Sequence, residues 1–274
     1  MIARKPKARP RLVAIDMDGT LIDRSLVIHD PVKNAVAAAK AAGVEVVIVT
    51  GRMYHATKPF AAQLHLDGPI VCYQGAAIYL LGTDERIAHT PLSRPVALDL
   101  IAEVKRDRVH PQLYIDDDLY VEEVNKYTKI YTDVANVDAV VVPSLEDELC
   151  TGRETTKFVA VLEPERAEAY IAKLKAYAGE RAYVTRSNPE FVEAVDPGVN
   201  KGTALQFVAD YLGIPLEETM AIGDAWNDVP MLSIAGYAVA MGTAPPEVTA
   251  EADAVVGDVA HYGVAEAIER FVLE

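Results

Sequence analysis

The stretch Leu12-Val13-Ala14-Ile15-Asp16-Met17-Asp18-Gly19-Thr20-Leu21, LVAIDMDGTL, decides how this chain folds. Four apolar residues in a row predict a strand buried on both faces, as in parallel sheets. The strand then runs into two aspartates one residue apart, where an ordinary strand ends in a neutral turn. In open parallel sheets, ligands gather beyond the carboxyl ends of the strands. Alternate residues of an extended chain point the same way, so Asp16 and Asp18 can converge, while Gly19 lets the backbone turn away sharply. Such a pair can close a solvated loop through Asx-type hydrogen bonds. It can also be functional: two carboxylates held together need a cation between them, or one must keep its proton. That suits a division of labour in which one attacks and the other shuttles protons.

The same style continues on either side. HDPVKNAVAAAKAAG (29–43) predicts a helix capped by Asp30, with Pro31 in its first turn and Gly43 as its stop. Val44–Thr50 (VEVVIVT) predicts a second buried strand. A helix over Tyr54–Leu64 and a short strand at Pro69–Cys72 complete a βαβαβ pattern with right-handed crossovers. The C-terminal third predicts a helix over Asn200–Leu212 ended by Gly213, a strand in ETMAIGD (218–224) and a helix over Asn227–Ile234. Short strands around Tyr237–Ala240 and Ala254–Val256 and a last helix from Val264 follow.

Between about 84 and 186 the pattern changes. QLYIDDDLYVEE (112–123) alternates around an acidic turn, and TKFVAVLEP (156–164) leads to a helix and then RAYVTRS (181–187). The triplet Asp116–Asp118 looks like a metal cluster but reads better as the turn of a hairpin. Two helix-then-hairpin units predict an α+β cap over 84–186. The cap is inserted between the halves, 1–83 and 187–274, of a Rossmann-like three-layer α/β core with a parallel sheet.

Three further pieces answer the first motif. VIVTGR places Thr50 and Gly51 at a strand-to-helix turn, where a hydroxyl and free N–H groups suit a phosphate oxygen or simply cap the helix. Lys201, in DPGVNKGTALQF, precedes a helix. Its charge opposes the helix dipole there, so either it faces solvent or an anion lies nearby. In AIGDAWNDVPML, Asp224 again ends an apolar strand, and Asp228 follows one helical turn later. Both could be helix-start acids, but two strands would then deliver carboxylates to one edge of the sheet. An oxygen-rich site of that kind suits Mg²⁺.

At this point the chain resembles the haloacid dehalogenase-like phosphohydrolase superfamily. DMDGT, VIVTGR, the lysine of NKGTAL and GDAWND stand in the order of its four motifs. The insertion and the phrase VNKGTAL look most like its Cof-type subgroup, with an α/β cap over the site. The resemblance implies an Mg²⁺-dependent phosphatase of small phosphorylated metabolites, sugar phosphates or similar. Asp16 would be the nucleophile that becomes an aspartyl-phosphate, and Asp18 the general acid/base. Thr50, Gly51, Lys201 and Asn227 would contact the phosphate or substrate. Asp16, Asp224 and the backbone carbonyl of Asp18 would hold the metal, with Asp228 tuning that shell or orienting Lys201. A phosphomutase uses the same core motifs, and a non-catalytic phosphometabolite sensor would keep the fold. Gln74 in CYQGA, Ala225–Trp226 in GDAWND and Tyr262 in HYGVAEAI depart from the subgroup's usual residues without removing a required one.

The bulk properties agree with this picture. The 41 acids against 26 bases give a formal charge of −15, which argues against a nucleic-acid partner, since binding a phosphate backbone needs a basic face. A small phosphate ester is still admissible, because a pocket cation outweighs remote charges screened beyond about 8 Å. The two cysteines are too few for a disulfide framework, and the apolar run after the basic MIARKPKARP is too short for a signal peptide. No stretch approaches the roughly 20 apolar residues of a membrane span. A cytoplasmic protein is expected, with its oligomeric state open. Of the tyrosines in the cap (Tyr114, Tyr120, Tyr127, Tyr131), most are expected to pack or sit at the solvent edge.

Overall fold

The computed structural model describes residues 5–274. Its centre is β1 (Leu12–Ile15), all four residues of which are buried. The loop after it leads to α1 (Asp30–Ala41), whose N-cap is His29. Asp30 is the first helical residue, so it does not cap the helix but places its charge against the positive end of the dipole. The helix returns the chain to β2 (Glu45–Ile48), and α2 (Tyr54–Gln63) follows. β3 (Pro69–Cys72) lies beside the end of β2, where Val49, just past the strand, makes an isolated parallel bridge to Val71 and the Thr50 N–H donates to Val71 O. The turn at Tyr73–Gly75, with Tyr73 and Gln74 at positive φ, reverses the chain into β4 (Ala77–Leu80) and then β5 (Glu85–His89). β3 therefore spends its length on an antiparallel three-stranded sheet and does not extend the parallel ladder.

The next elements build a second layer. α3 (Arg94–Arg106) precedes the hairpin β6 (His110–Ile115) and β7 (Asp118–Val121). Asp116 and Asp117, both at positive φ, form its two-residue turn, so the acidic triplet is a hairpin tip as expected. α4 (Lys126–Ala135), β8 (Ala139–Val141), α5 (Leu145–Cys150), β9 (Lys157–Val161), α6 (Pro164–Ala178), β10 (Tyr183–Thr185) and β11 (Phe191–Val195) complete it. These strands form one six-stranded sheet in the order β10-β11-β9-β6-β7-β8. β11 lies past residue 187, yet it pairs with β9 and β10, while β5, past residue 84, stays with β3 and β4.

The chain then returns to the first layer. α7 (Lys201–Leu212) starts at an Asn200 capping box and ends at Gly213 in the left-handed conformation. β12 (Thr219–Gly223), a 3₁₀ turn at Trp226–Asp228, α8 (Val229–Ile234), β13 (Tyr237–Ala240), α9 (Pro246–Thr249), β14 (Ala254–Val255) and α10 (Gly263–Ile268) follow. Pro230 near its start sets α8 slightly later than the sequence predicts. The core sheet is wholly parallel in the order β14-β13-β12-β1-β2, so β1 and β12 lie side by side, Ile15 opposite Ile222. Both acidic motifs thus leave the same edge of the sheet.

The six-stranded sheet has two different faces. One packs Leu113, Phe158 and Ala160 against Leu100, Leu145 and Leu174 of α3, α5 and α6. The other presents Tyr114, Val159 and Phe191 with Tyr131 of α4, and these join the apolar cluster of the core that includes Ile15 and Tyr73. The architecture is an α/β core with an additional sheet closed over it as a cap. Among the described residues no helix is long and apolar enough to cross a membrane.

Candidate active site

Asp16 follows β1 and is almost wholly buried at the carboxyl edge of the sheet. Its Oδ1 accepts a hydrogen bond from Lys201 Nζ, which reaches it from the first turn of α7 with no exposed surface of its own. The same Nζ donates to Asp228 Oδ1 at 2.6 Å. The other oxygen of Asp228 accepts the backbone N–H groups of Asp224 and Ala225, both at 2.9 Å. Asp228 is therefore fully committed to holding Lys201 and the turn after β12. Asp224, at the end of β12, accepts Thr20 Oγ1 at 2.8 Å.

Carboxylate oxygens of Asp16, Asp224 and Asp228 lie within 4.8 Å of one another. Burial, then the charge of Asp228, pushes the Asp16 carboxyl well above the usual range despite Lys201. The same two causes raise Asp224 to about 7. Burial opposes the charge of Lys201, but Asp16 and Asp228 outweigh it and keep the ammonium protonated. One ammonium thus faces three carboxylates, and the remaining repulsion is what a divalent cation would relieve. The donors are all oxygens, which fits a hard cation such as Mg²⁺. The space is guarded as well: a Cβ on Gly19, at φ +86°, would fall 2.5 Å from Asp224 Oδ2. The donor set therefore fits a metal, held chiefly by Asp16 and Asp224.

The Asp18 side chain stands apart from this cluster. Arg52 clasps it in a fork, Nη2 to Oδ1 at 2.6 Å and Nε to Oδ2 at 2.8 Å, leaving only its backbone carbonyl for a cation. A third guanidinium nitrogen of Arg52 donates to Ala135 O at the end of α4, in the cap. Thr50 and Gly51 line the same cleft. Thr50 Oγ1 accepts the N–H of Arg52 at 3.1 Å, and Gly51 O accepts Lys157 Nζ at 2.6 Å. Asn227 also lines the cleft and donates to Gln74 Oε1 at 3.0 Å.

Arg52, Lys157 and Glu193 are lining residues that the sequence did not single out. Lys157 on β9 and Glu193 on β11 are buried charges on the core-facing side of the cap sheet, paired at 3.4 Å. Burial lowers the lysine's pKa, partly offset by Glu193. The available signal was a charge at an inward position of an otherwise apolar strand, in KFVAV and FVEAV. Of the four tyrosines, Tyr131 lines the cleft and bonds Tyr114 OH, whereas Tyr120 pairs with Arg153 and Tyr127 with Glu163.

A carboxylate cluster at the carboxyl edge of a parallel sheet, roofed by a cap, defines a capped phosphohydrolase. The chain belongs to the haloacid dehalogenase-like hydrolase family, whose model matches residues 13–268. It is 28% identical to the pyridoxal phosphate phosphatase of Escherichia coli, over 90% of this chain and 93% of that one. It is 29% identical to the 5-amino-6-(5-phospho-D-ribitylamino)uracil phosphatase YitU of Bacillus subtilis, over 97% and 98%. A crystal structure from Thermotoga maritima superposes with a TM-score of 0.80 at 32% identity, covering 96% of this chain and 97% of that one. A sugar phosphatase of subclass IIB superposes with a TM-score of 0.80 at 25% identity, covering 94% and 98%. The chain is accordingly an enzyme of the phosphatase type.

Proposed function

We propose that the protein is an Mg²⁺-dependent phosphatase of small phosphorylated metabolites and that it works through a phosphoryl group on Asp16. The observation that carries this is the convergence of Asp16, Asp224 and Asp228 around Lys201 beneath the cap. A bound divalent cation would neutralise charge on the transferring phosphoryl and hold it in line with Asp16. Counting Asp16, Asp224 and Asp228 against Lys201 and Arg52, with Asp18 carrying the proton it will donate, gives −1 before the cation and +1 with it. A phosphate dianion then enters without net repulsion.

Asp16 attacks phosphorus, and the ester oxygen departs with a proton from Asp18. Asp18, now ionised, takes a proton from the water that cleaves the acyl-phosphate, restoring both residues. Arg52 orients the Asp18 carboxylate, and Lys201, fixed by Asp228, steadies the nucleophile and the phosphoryl oxygens. Thr50 and the N–H groups of its loop complete the phosphate contacts. The cap, which we take to run from Leu92 to Val195 on its strand pairings, excludes water and meets the leaving group. The two unpaired cysteines, Cys72 and Cys150, fit a cytoplasmic setting.

The test is phosphate release from p-nitrophenyl phosphate and a panel of phosphorylated metabolites. Turnover should require Mg²⁺ and vanish after dialysis against EDTA. Full turnover without divalent metal would refute the proposal, and a need for a bisphosphate activator would mark a mutase instead.

A further inference from the structure

The loop that carries the phosphate contacts is fastened to the cap. Gly51 O accepts Lys157 Nζ of β9 at 2.6 Å, Arg52 Nη1 donates to Ala135 O at 3.1 Å, and the N–H groups of Tyr54 and His55 go to Asp117. The Lys157 bond acts on the peptide next to Thr50. Gly51 O and the Arg52 N–H belong to one trans peptide, so they point opposite ways. With the carbonyl drawn to Lys157, the N–H is turned onto Thr50 Oγ1 at 3.1 Å. The buried Thr50 hydroxyl accepts that bond and keeps its own proton for a phosphoryl oxygen. The Gly51 N–H beside it meets no acceptor among the described residues.

The core holds the carbonyls on either side of this one. Thr50 O accepts the Gln74 N–H at 3.0 Å and Arg52 O the Tyr73 N–H at 2.9 Å, whereas among the described residues Gly51 O between them is held only by Lys157. A glycine peptide turns easily once released. Lys157 itself is buried, 3.4 Å from Glu193 Oε1 and over the Tyr114 ring at 5.1 Å. The neighbouring inward positions of β9 are the apolar Val159 and Val161. A buried ion pair stabilises a fold little compared with apolar side chains of the same volume. What an apolar residue could not supply at 157 is the charge-assisted bond to the loop carbonyl.

Resting on the phosphatase assignment of this same site, we propose that Lys157 is a positioning residue. From the cap it fixes the Gly51–Arg52 peptide and through it the Thr50 hydroxyl, so the phosphate contacts are complete only with the cap seated. The effect falls on the phosphoryl group, whatever the leaving group. Removing one partner of a buried pair strands the other, so Glu193→Gln is the reference and Lys157→Met is added to it. In the full-length enzyme with Mg²⁺, the added change should raise the inhibition constant of inorganic phosphate at least about tenfold. It should lower kcat/KM about 100-fold, by the same factor for each ester the wild type hydrolyses. In a Thr50→Val background it should cost about threefold or less, because the two residues act as one unit. Melting temperatures are read first. Unchanged phosphate inhibition in folded variants, a loss confined to one ester, or an equal loss with and without the Thr50 hydroxyl overturns the proposal. Should the variants not fold, a crystal structure of the wild type with Mg²⁺ and orthovanadate decides. Thr50 Oγ1 and Gly51 N on the vanadate, with Lys157 Nζ still on Gly51 O, supports the proposal; Lys157 Nζ on the vanadate overturns it. Full turnover in the Lys157→Met variant removes this inference alone. No turnover of p-nitrophenyl phosphate or any metabolite ester by the wild type removes the phosphatase assignment and this inference together.

Discussion

Gly19 meets two demands at once. Its backbone turns at φ +86°, and its missing side chain leaves room for the Asp224 carboxylate. Gly19→Ala should add strain of about 1–2 kcal/mol and displace Asp224. Mg²⁺ affinity by calorimetric titration should then fall at least about tenfold, and unchanged affinity would show that the space is not used. At this scale Asp16, Asp18, Asp224, Asp228 and Lys201 were legible because each stands at the end of a strand or the start of a helix, where topology alone fixes the edge. Arg52 was not. An arginine after Thr-Gly reads as an ordinary helix-start residue, and its partner lies 34 positions away in the chain. Only the folded sheet brings them together.

At the scale of elements, Asp117 joins cap to core. From the tip of the β6–β7 hairpin its carboxylate accepts the N–H groups of Tyr54 and His55, at 2.9 and 3.0 Å, and so caps α2 across the interface. It also accepts Tyr73 OH and pairs with the His55 ring. Asp117→Ala removes a cap and strands a buried hydroxyl, a loss of about 2 kcal/mol. Melting temperature should fall by several degrees, and amide exchange in the first turn of α2 should speed up; protection as in the wild type would contradict this role. The hairpin and its turn were readable from alternation around the acidic triplet. β11 was not. Its five residues are interrupted by Glu193 and flanked by Pro189 and Pro197, a pattern that reads as loop. The charge is tolerated in mid-strand because Lys157, Gln74 and Ser187 satisfy it.

For the whole molecule, the parallel core and the inserted cap were legible from the buried strands and the change of pattern in mid-chain. The closure of one upon the other was not, since it rests on contacts such as Arg52 to Ala135 and Lys157 to Gly51. The acidic cluster also sets how stability responds to pH. Without metal, the folded chain keeps a proton on Asp224 up to about pH 7, whereas the unfolded chain releases it near 4. The native state binds more protons over that window, so its stability falls as pH rises through it, and the loss is complete above about 7. A cation at Asp224 replaces that proton. Mg²⁺ should therefore raise the melting temperature more at about pH 8 than at about pH 6. An equal rise at both would place the metal elsewhere. The most direct measurement is acid-quenched mass spectrometry of Asp18→Asn during turnover of p-nitrophenyl phosphate, in which slowed hydrolysis lets the covalent intermediate accumulate. The expected result is a base-labile phosphoryl group on the peptide holding Asp16, formed only with Mg²⁺ and absent when Asp16 is also changed to Asn. Continued turnover in Asp16→Asn, or a phosphoryl group on another residue, would contradict it.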